Sequence, residues 1–219
     1  MDPISVIIFI FILLVSVIFH EVAHGLVADR LGDPTARYAG RLTLNPIPHI
    51  DPLWSILLPA LLVYLGSPVL FGAAKPVPVN FANLRNTKRD MILVAIIGPI
   101  TNMVLAIIAV LIYRLAPGIS GLGKELLVET ASLNVVLAVF NMIPVPPLDG
   151  SKVLAGLLGF ADRNLMYNFL ELERFGFIFL IILLFTGLFE KIIYSPYLFI
   201  VQTLFGHLPP ELFTKMFGL

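Results

Sequence analysis

The feature that most constrains this chain is a long apolar segment whose end carries three ionisable side chains. Residues 3–19 contain no charged residue, and His20, Glu21 and His24 follow closely. An uncharged run of this length is typical of a helix that crosses a bilayer. The segment lacks the basic start and the small-residue cleavage site of a signal peptide. We therefore predict a retained transmembrane helix that continues to about Arg30.

The three ionisable side chains lie where only hydrocarbon would be expected. His20 and His24 are four residues apart and share one helix face, whereas Glu21 lies about 100° around the helix from His20. Ionisable groups at this depth are costly and are usually functional. Two neutral imidazoles on one face can bind a zinc ion, and the neighbouring carboxylate can accept a proton from water on that ion. The alternative is a buried polar cluster that only ties helices together.

The composition is that of a membrane protein. Hydrophobic residues make up 58% of the chain and charged residues 13%, against about 25% charged residues in soluble domains. The mean hydropathy is +0.97, so the bilayer must solvate much of the surface. A formal net charge of zero gives no reason to expect a nucleic-acid partner. The chain has no cysteine, so His, Asp or Glu must hold any metal.

Hydropathy divides the rest of the chain into further apolar segments. The clear spans are 92–113, 131–148 and 175–189. Residues 52–74 form either one span or a re-entrant helical hairpin, and 192–210 either span, re-enter or lie at the interface together with His207. We predict an all-α polytopic membrane protein with about five to six transmembrane segments. It forms one domain over 1–219, with a core over 1–152 and C-terminal membrane segments over 153–219.

Two short segments that precede the span at 92–113 predict β-structure. Residues 38–45 alternate between apolar and polar side chains in a region rich in Gly and Pro, a pattern of strand or turn. Residues 75–80 contain Pro76 and Pro78, which favour extended backbone and restrict a strand to a sheet edge. We therefore predict short membrane-associated β-strands between the first helix and the helix that contains Gly98 and Asn102.

The distribution of basic residues predicts the orientation. If the first helix runs from outside to inside, most basic residues lie on the cytoplasmic side, in agreement with the positive-inside rule. The residues on that side are Arg30, Arg37, Arg41, Lys75, Arg85, Lys88, Arg89, Lys152, Arg163 and Arg174, against Arg114, Lys124 and Lys191 outside. This orientation places the His20–His24 face towards the cytoplasm.

Asp149 is the candidate for a third metal ligand. Catalytic zinc usually has three protein ligands and one open position. Asp149 ends the predicted span at 131–148 on the same side of the membrane as His20 and His24. The prolines before it, at 144, 146 and 147, interrupt helical hydrogen bonding. Broken backbone at membrane depth is tolerated beside a water-filled cavity, and a water-accessible metal site is such a place.

Three motifs together carry a resemblance to a known family. They are His20-Glu21-x-x-His24, Gly98-x-x-x-Asn102, and Asn141-x-x-Pro144 followed by Leu148-Asp149-Gly150. In this order and within apolar segments, they resemble the site-2 protease family of intramembrane zinc metalloproteases. The resemblance is to the compact prokaryotic branch without a PDZ domain, and it extends from the first helix to about Lys152.

The resemblance implies a role for each matching residue. His20, His24 and Asp149 would bind one Zn²⁺ per chain, and Glu21 would be the general base and acid. Asn102 and Asn141 would line the substrate cleft and donate hydrogen bonds to the substrate backbone or the oxyanion. Residues 38–45 would form a membrane-associated β-hairpin. Residues 75–80 would hold substrate by strand pairing, with Lys75 as a substrate contact.

Simpler roles remain open for some of these residues. Asn102 could serve helix packing, Asn141 could cap a helix end, and Lys75 could be an interfacial cation. His49 and Asp51 either contact the site or belong to a turn.

The implied function is cleavage of transmembrane segments or signal-peptide remnants in the cytoplasmic membrane, with the active site facing the cytoplasm. Its partners would be those substrates and the lipid bilayer, with homo-oligomerisation left open. The first alternative is a metal transporter, which should show paired broken helices in repeated halves; the sequence shows no such repeat. The second is a catalytically silent scaffold, and Glu21 argues against it. The substrate and its trigger are not encoded in any recognisable motif.

Overall fold

The computed structural model describes residues 3–57, 61, 64, 75–116, 118, 119 and 121–206. Within these ranges the α-helices are α1 (Pro3–Arg30), α2 (Thr35–Tyr38), α3 (Thr87–Leu115), α4 (Leu122–Asn141), α5 (Asp149–Ala161), α6 (Arg163–Leu170), α7 (Gly176–Phe185) and α8 (Leu188–Phe205). Short 3₁₀ turns occupy Ile47–His49, Phe81–Asn83 and Glu171–Phe175, and a π-helical turn occupies Pro52–Leu57.

The prediction of β-strands is wrong for the part of the chain that the structure describes, where no strand occurs. Residues 38–45 contain the end of α2 and a turn in which the amides of Gly40 and Arg41 bond to Arg37 and Ala36. Residues 75–80 are extended but unpaired. Their amides bond to groups in separate loops and helices, so no ladder forms. The β-hairpin and the strand that would pair with substrate are therefore both absent from these ranges.

The prediction of five to six transmembrane segments is also too high for the described residues. Two helices are long and apolar enough to span a bilayer, α1 over Val6–Arg30 and α3 over Thr87–Leu115. A third span would require Arg163–Leu183 and Leu188–Phe205 to act together, and these two parts are bent by 81°. The choice between one span and a re-entrant hairpin at 52–74 falls mostly outside the described residues, which include 52–57, 61 and 64 of this segment. His207 and the end of the segment at 192–210 also lie outside them.

Local sequence explains why the described residues contain fewer transmembrane helices than predicted. The predicted span at 131–148 does not form a single helix. Its first part is the second half of α4, which begins at Leu122 and includes charged residues in its first turns. The helix ends at Asn141 because Pro144, Pro146 and Pro147 cannot continue it. In the segment at 175–189, α7 has only 10 residues, which is about 15 Å of helix against an apolar layer of about 30 Å.

Helix α3 is the centre of the fold and packs against α1, α4 and α5. Its small residues Ala106 and Ala109 are buried with Ala131 and Val135 of α4. Small side chains allow helix backbones to approach closely, which is how membrane helices associate. The opposite face of α3 exposes large apolar residues, including Ile100, Val104, Ile107, Ile108 and Leu111. A continuous apolar face of this kind suits contact with lipid chains.

The segment between α2 and α3 is held close to α1 by a buried carboxylate. Asp33 accepts hydrogen bonds from the amides of Thr35 and Asn80, at 3.2 Å and 2.6 Å, and from the side chains of Thr35 and Asn83. Burial alone would raise the pKa of Asp33, but these hydrogen bonds outweigh it and hold the pKa below its usual range. The charged carboxylate thus ties residues 75–83 to the end of α1.

Candidate metal centre

Two imidazoles and a carboxylate converge between α1 and α5. His20 Nε2 and His24 Nε2 are 3.0 Å apart, and Asp149 Oδ2 lies 3.1 Å from the first and 3.2 Å from the second. Both histidines are buried, at 5% and 8% exposure. The three atoms form a nearly equilateral triangle. The structure therefore brings together the three residues that the sequence suggests as metal ligands, although their role as ligands stays a prediction.

Asp149 reaches this position because it begins a new helix. Leu148 before it is extended, at φ −71° and ψ 158°, and α5 starts at Asp149 itself. Gly150 allows the start of α5 to pack against the end of α4. A Cβ there would meet the carbonyl oxygens of Met142 and Ile143, the latter at 2.5 Å. The sequence prediction placed Asp149 at the end of a span, and the structure places it at the first turn of α5.

The backbone of α3 at Gly98 lies directly against the two imidazole rings. A Cβ on Gly98 would lie 2.5 Å from His20 Cε1 and 2.6 Å from His20 Nε2, and it would also overlap His24 Nε2. Heavy atoms in contact are normally more than about 3.4 Å apart. Glycine is therefore required at this position by the rings that face it, and not only as a helix kink.

The other ring nitrogens of both histidines are bound by residues one turn on either side of Gly98. His24 Nδ1 lies 2.6 Å from the Val94 carbonyl oxygen, and His20 Nδ1 lies 2.6 Å from Asn102 Oδ1. A carbonyl oxygen can only accept, so His24 Nδ1 carries the proton and donates it. In the neutral ring, which is the form that binds a metal, Nε2 then keeps a lone pair that faces the triangle.

Asn102 is fully buried and belongs to a hydrogen-bonded chain of amides. Its Nδ2 donates to Asn134 Oδ1 at 2.8 Å. Asn134 Nδ2 donates to Ser16 Oγ at 2.9 Å and to the Thr130 carbonyl at 2.8 Å. Since both polar atoms of Asn102 are bonded within the protein, its predicted contact with substrate remains without support.

Sequence reasoning missed Asn134 and Ser16. The signal that could have found them is the same one that identified His20. Each is a polar residue within an apolar stretch of a helix, and such residues in membrane segments usually pair with one another.

The donor set fits a cation. Asp149 Oδ2 is buried and has no hydrogen-bond partner, and the histidine Nε2 atoms face it with lone pairs. Three electron-pair donors within 3.2 Å of one another repel unless a positive charge lies among them. Tetrahedral zinc with bonds of about 2.0–2.1 Å separates its ligand atoms by about 3.3 Å. The observed triangle is within 0.3 Å of that separation, and His/His/Asp is an established type of zinc donor set.

Glu21 is next to the cluster and faces the segment at 75–80. Its Oε2 accepts a hydrogen bond from the Val77 amide at 2.7 Å. Arg41 holds the same segment by donating to the Lys75 carbonyl at 2.6 Å, and the Lys75 amide donates to the His49 carbonyl at 2.8 Å. The amides of this segment are thus already bonded, which explains why it does not form an open strand edge.

The remaining predicted residues make local contacts. Asn141 Nδ2 donates to the Leu137 carbonyl of its own helix at 3.0 Å. Lys75 has an exposed side chain. His49 is fully buried and its Nε2 lies 2.8 Å from the Thr43 carbonyl, and Asp51 accepts from the Leu53 amide at 2.9 Å. These side-chain contacts are local, whereas the carbonyl of His49 also joins this turn to Lys75.

The chain resembles known proteins over most of its length. The chain matches the family described as Peptidase family M50 over residues 8–124 and 121–185. It is 37% identical to YwhC of Bacillus subtilis (strain 168), whose name marks it as a candidate zinc metalloprotease. That match covers 80% of this chain and 79% of the relative.

Two further relatives are both named Rip2 and are also described as candidate zinc metalloproteases. The protein of Mycolicibacterium smegmatis is 30% identical over 79% of this chain and 64% of its own length. The protein of Mycobacterium tuberculosis (strain H37Rv) is 34% identical over 64% of this chain and 53% of its own length. No solved structure matches the chain significantly.

Two helices that are long and apolar enough to span a bilayer, and two buried histidines beside a partly buried carboxylate that could hold a metal ion, fit the class of membrane metalloproteases. The chain belongs to peptidase family M50, the family of the site-2 proteases, and it is a zinc metalloprotease. The resemblance read from the sequence is thereby confirmed.

Proposed function

We propose that this protein is an endopeptidase that hydrolyses peptide bonds within transmembrane segments, including signal-peptide remnants, with one zinc ion held by His20, His24 and Asp149. One observation carries the proposal most directly. Three lone-pair donors lie within 3.2 Å of one another between helices that are apolar enough to span a bilayer. A site at that depth acts on what the bilayer holds.

Zinc, when bound, would polarise a carbonyl oxygen and lower the pKa of its water to about 7. Glu21 is the chain's own proton acceptor, because it adjoins the first ligand on α1. A carboxylate has two oxygens, and the Val77 amide occupies one of them. This hydrogen bond orients the side chain and leaves the second oxygen to receive a proton and return it to the departing amine.

The surrounding helices keep bulk water away from the cluster. His20 and His24 lie beneath Gly98, and Asp149 is close to the end of the proline-rich loop before α5. Electrostatic interactions are stronger in such surroundings than in water. We expect the attacking water to reach the cluster beside this loop, where three prolines prevent regular helix.

We propose a cytoplasmic membrane location with the site facing the cytoplasm. Arg30 ends α1, Lys88 and Arg89 lie in the first turn of α3, and Arg37 and Arg41 lie between these helices. This concentration of positive charge at one end of both candidate spans favours the cytoplasmic side.

The experiment is a cleavage assay in proteoliposomes with a panel of single-span membrane proteins, read by mass spectrometry of the products. Glu21→Gln is the informative variant, since a glutamine oxygen can still accept from the Val77 amide but cannot take up the proton. We expect it to retain zinc and to lose cleavage by at least 100-fold. The matched control is Glu125→Gln, which neutralises an exposed carboxylate on α4. Full cleavage by Glu21→Gln would refute the proposed mechanism.

A further inference from the structure

Buried side chains of three helices form a hydrogen-bonded chain that connects two residues of α1 by way of α4 and α3. It begins at Ser16 of α1, passes Asn134 of α4 and Asn102 of α3, and ends at His20 of α1, with successive contacts of 2.9, 2.8 and 2.6 Å. All four residues are at most 5% exposed. Polar groups that are so deeply buried and so fully bonded restrict one another's orientation.

The direction of these hydrogen bonds follows from one group that cannot change its role. The Thr130 carbonyl can only accept, so the atom of Asn134 that faces it must be Nδ2. The second hydrogen of that Nδ2 points to Ser16 Oγ. Asn134 Oδ1 is therefore directed at Asn102 and accepts from its Nδ2.

The same reasoning extends to His20. With Asn102 Nδ2 committed to Asn134, the atom that faces His20 Nδ1 is Oδ1, which can only accept. His20 Nδ1 must then carry a proton, and in the neutral ring that binds a metal, Nε2 keeps the lone pair that faces His24 and Asp149. The opposite tautomer would put a hydrogen on Nε2, inside the triangle of ligand atoms.

We propose that Asn134, together with Ser16, is a positioning residue that fixes the tautomer and ring orientation of His20 through Asn102. The proposal rests on the proposed zinc ligands. Asn134 touches neither the ligand triangle nor Glu21 but determines which end of the Asn102 amide faces the imidazole. A metal-bound histidine is usually oriented by one hydrogen-bond partner, which here is Asn102. Asn134 orients that partner in turn.

The first test uses the unchanged protein. With the zinc removed by chelation, ¹⁵N NMR of labelled histidine at pH 8 reports which ring nitrogen of His20 carries the proton, assigned with His20→Gln. We expect the Nδ1–H form. A dominant Nε2–H form would overturn the proposal whatever the variants do.

The second test measures zinc affinity by competition with a chromophoric chelator. We expect Asn134→Leu to weaken zinc binding about 10- to 100-fold, as loss of outer-shell partners does elsewhere. Ser132→Ala is the matched control, because Ser132 is buried on the same helix two residues away and takes no part in the chain. It should bind zinc as the unchanged protein does. Equal affinity in Asn134→Leu and Ser132→Ala would overturn the proposal.

A third variant separates positioning from packing. Asn102→Asp presents an acceptor to His20 whichever way it is turned, so the identity of residue 134 should matter less in its background. We expect Asn134→Leu to cost at most about threefold in zinc affinity when combined with Asn102→Asp. An undiminished loss in the double variant would indicate a packing role and refute positioning. Failure of the unchanged protein to bind zinc, or normal zinc binding by His20→Gln, would instead refute the proposed ligands.

Discussion

Replacing Gly98 with alanine adds one methyl group at the point where α3 faces the metal cluster. The new Cβ would lie 2.5–2.6 Å from His20 ring atoms. To restore ordinary contact, the ring or the helix must move by about 0.8 Å. Packing on both sides opposes that movement, since His20 is hydrogen-bonded to Asn102 and Gly98 is a buried position of α3.

Two opposing terms act on the stability of Gly98→Ala. Alanine in a helix interior is about 1 kcal/mol more favourable than glycine, whereas overpacking of a filled interior costs about 1–3 kcal/mol. The net loss in unfolding free energy is therefore at most about 2 kcal/mol. Metal ligands tolerate displacements of only about 0.2 Å, so zinc affinity should fall far more, by at least about tenfold.

The assay compares zinc affinity by chelator competition with thermal unfolding of the zinc-free protein in detergent. The matched control is Gly118→Ala, because a Cβ at Gly118 meets no atom within 4 Å. We expect the control to bind zinc normally. If Gly98→Ala binds zinc as tightly as the control does, the close approach of α3 to the imidazoles is not what the geometry indicates.

Two further predictions concern the carboxylates. Asp149→Asn keeps the size of the side chain but removes its charge, so zinc affinity should fall by more than about 100-fold while the zinc-free protein stays folded; near-normal metal content would exclude Asp149 as a ligand. Asp33→Asn should lower the unfolding free energy by about 1–3 kcal/mol near pH 7, because the amide cannot accept all the bonds that the carboxylate accepts. Since the pKa of Asp33 is lowered in the folded protein, this difference should be complete above the unfolded value of about 3.9 and shrink as the pH falls through the lower folded value. Thermal unfolding from pH 3 to pH 8 tests it, and a difference that grows in acid would contradict the assignment.

The sequence predicted the elements of the site better than the elements of the fold. His20 and His24 could be paired from their spacing alone, because a helix imposes a fixed angle per residue. Asp149 could be proposed because three prolines before it prevent a regular helix. In each of these cases, local backbone physics connects sequence to geometry.

The predictions that were wrong involve hydrogen-bond partners that are distant in sequence. Residues 75–80 have the pattern of an edge strand, but the amides of Val77 and Asn80 bond to Glu21 and Asp33 instead of to another strand. Side-chain acceptors compete with sheet partners for the same amides. Nothing local to 75–80 indicates that these carboxylates lie beside it.

The prediction of a span at 131–148 was wrong for a related reason. Hydropathy over this window averages apolar residues on both sides of Asn141 and does not register that the helix ends there. Asn134 was overlooked within the same window. Its importance depends on three partners that come from other turns and helices, and none of them is visible from its own neighbourhood.

The amide chain also bears on how the protein is made. Ser16 and Asn134 are 118 residues apart in sequence, and Asp149 is synthesised later still. A nascent chain that has inserted only α1 presents two imidazoles without the carboxylate and without the amides that orient His20. The hydrolytic site is therefore assembled only after α4 and the start of α5 have emerged from the ribosome. If His20, His24 and Asp149 are the ligands as proposed, incomplete chains lack the full ligand set and should be inactive.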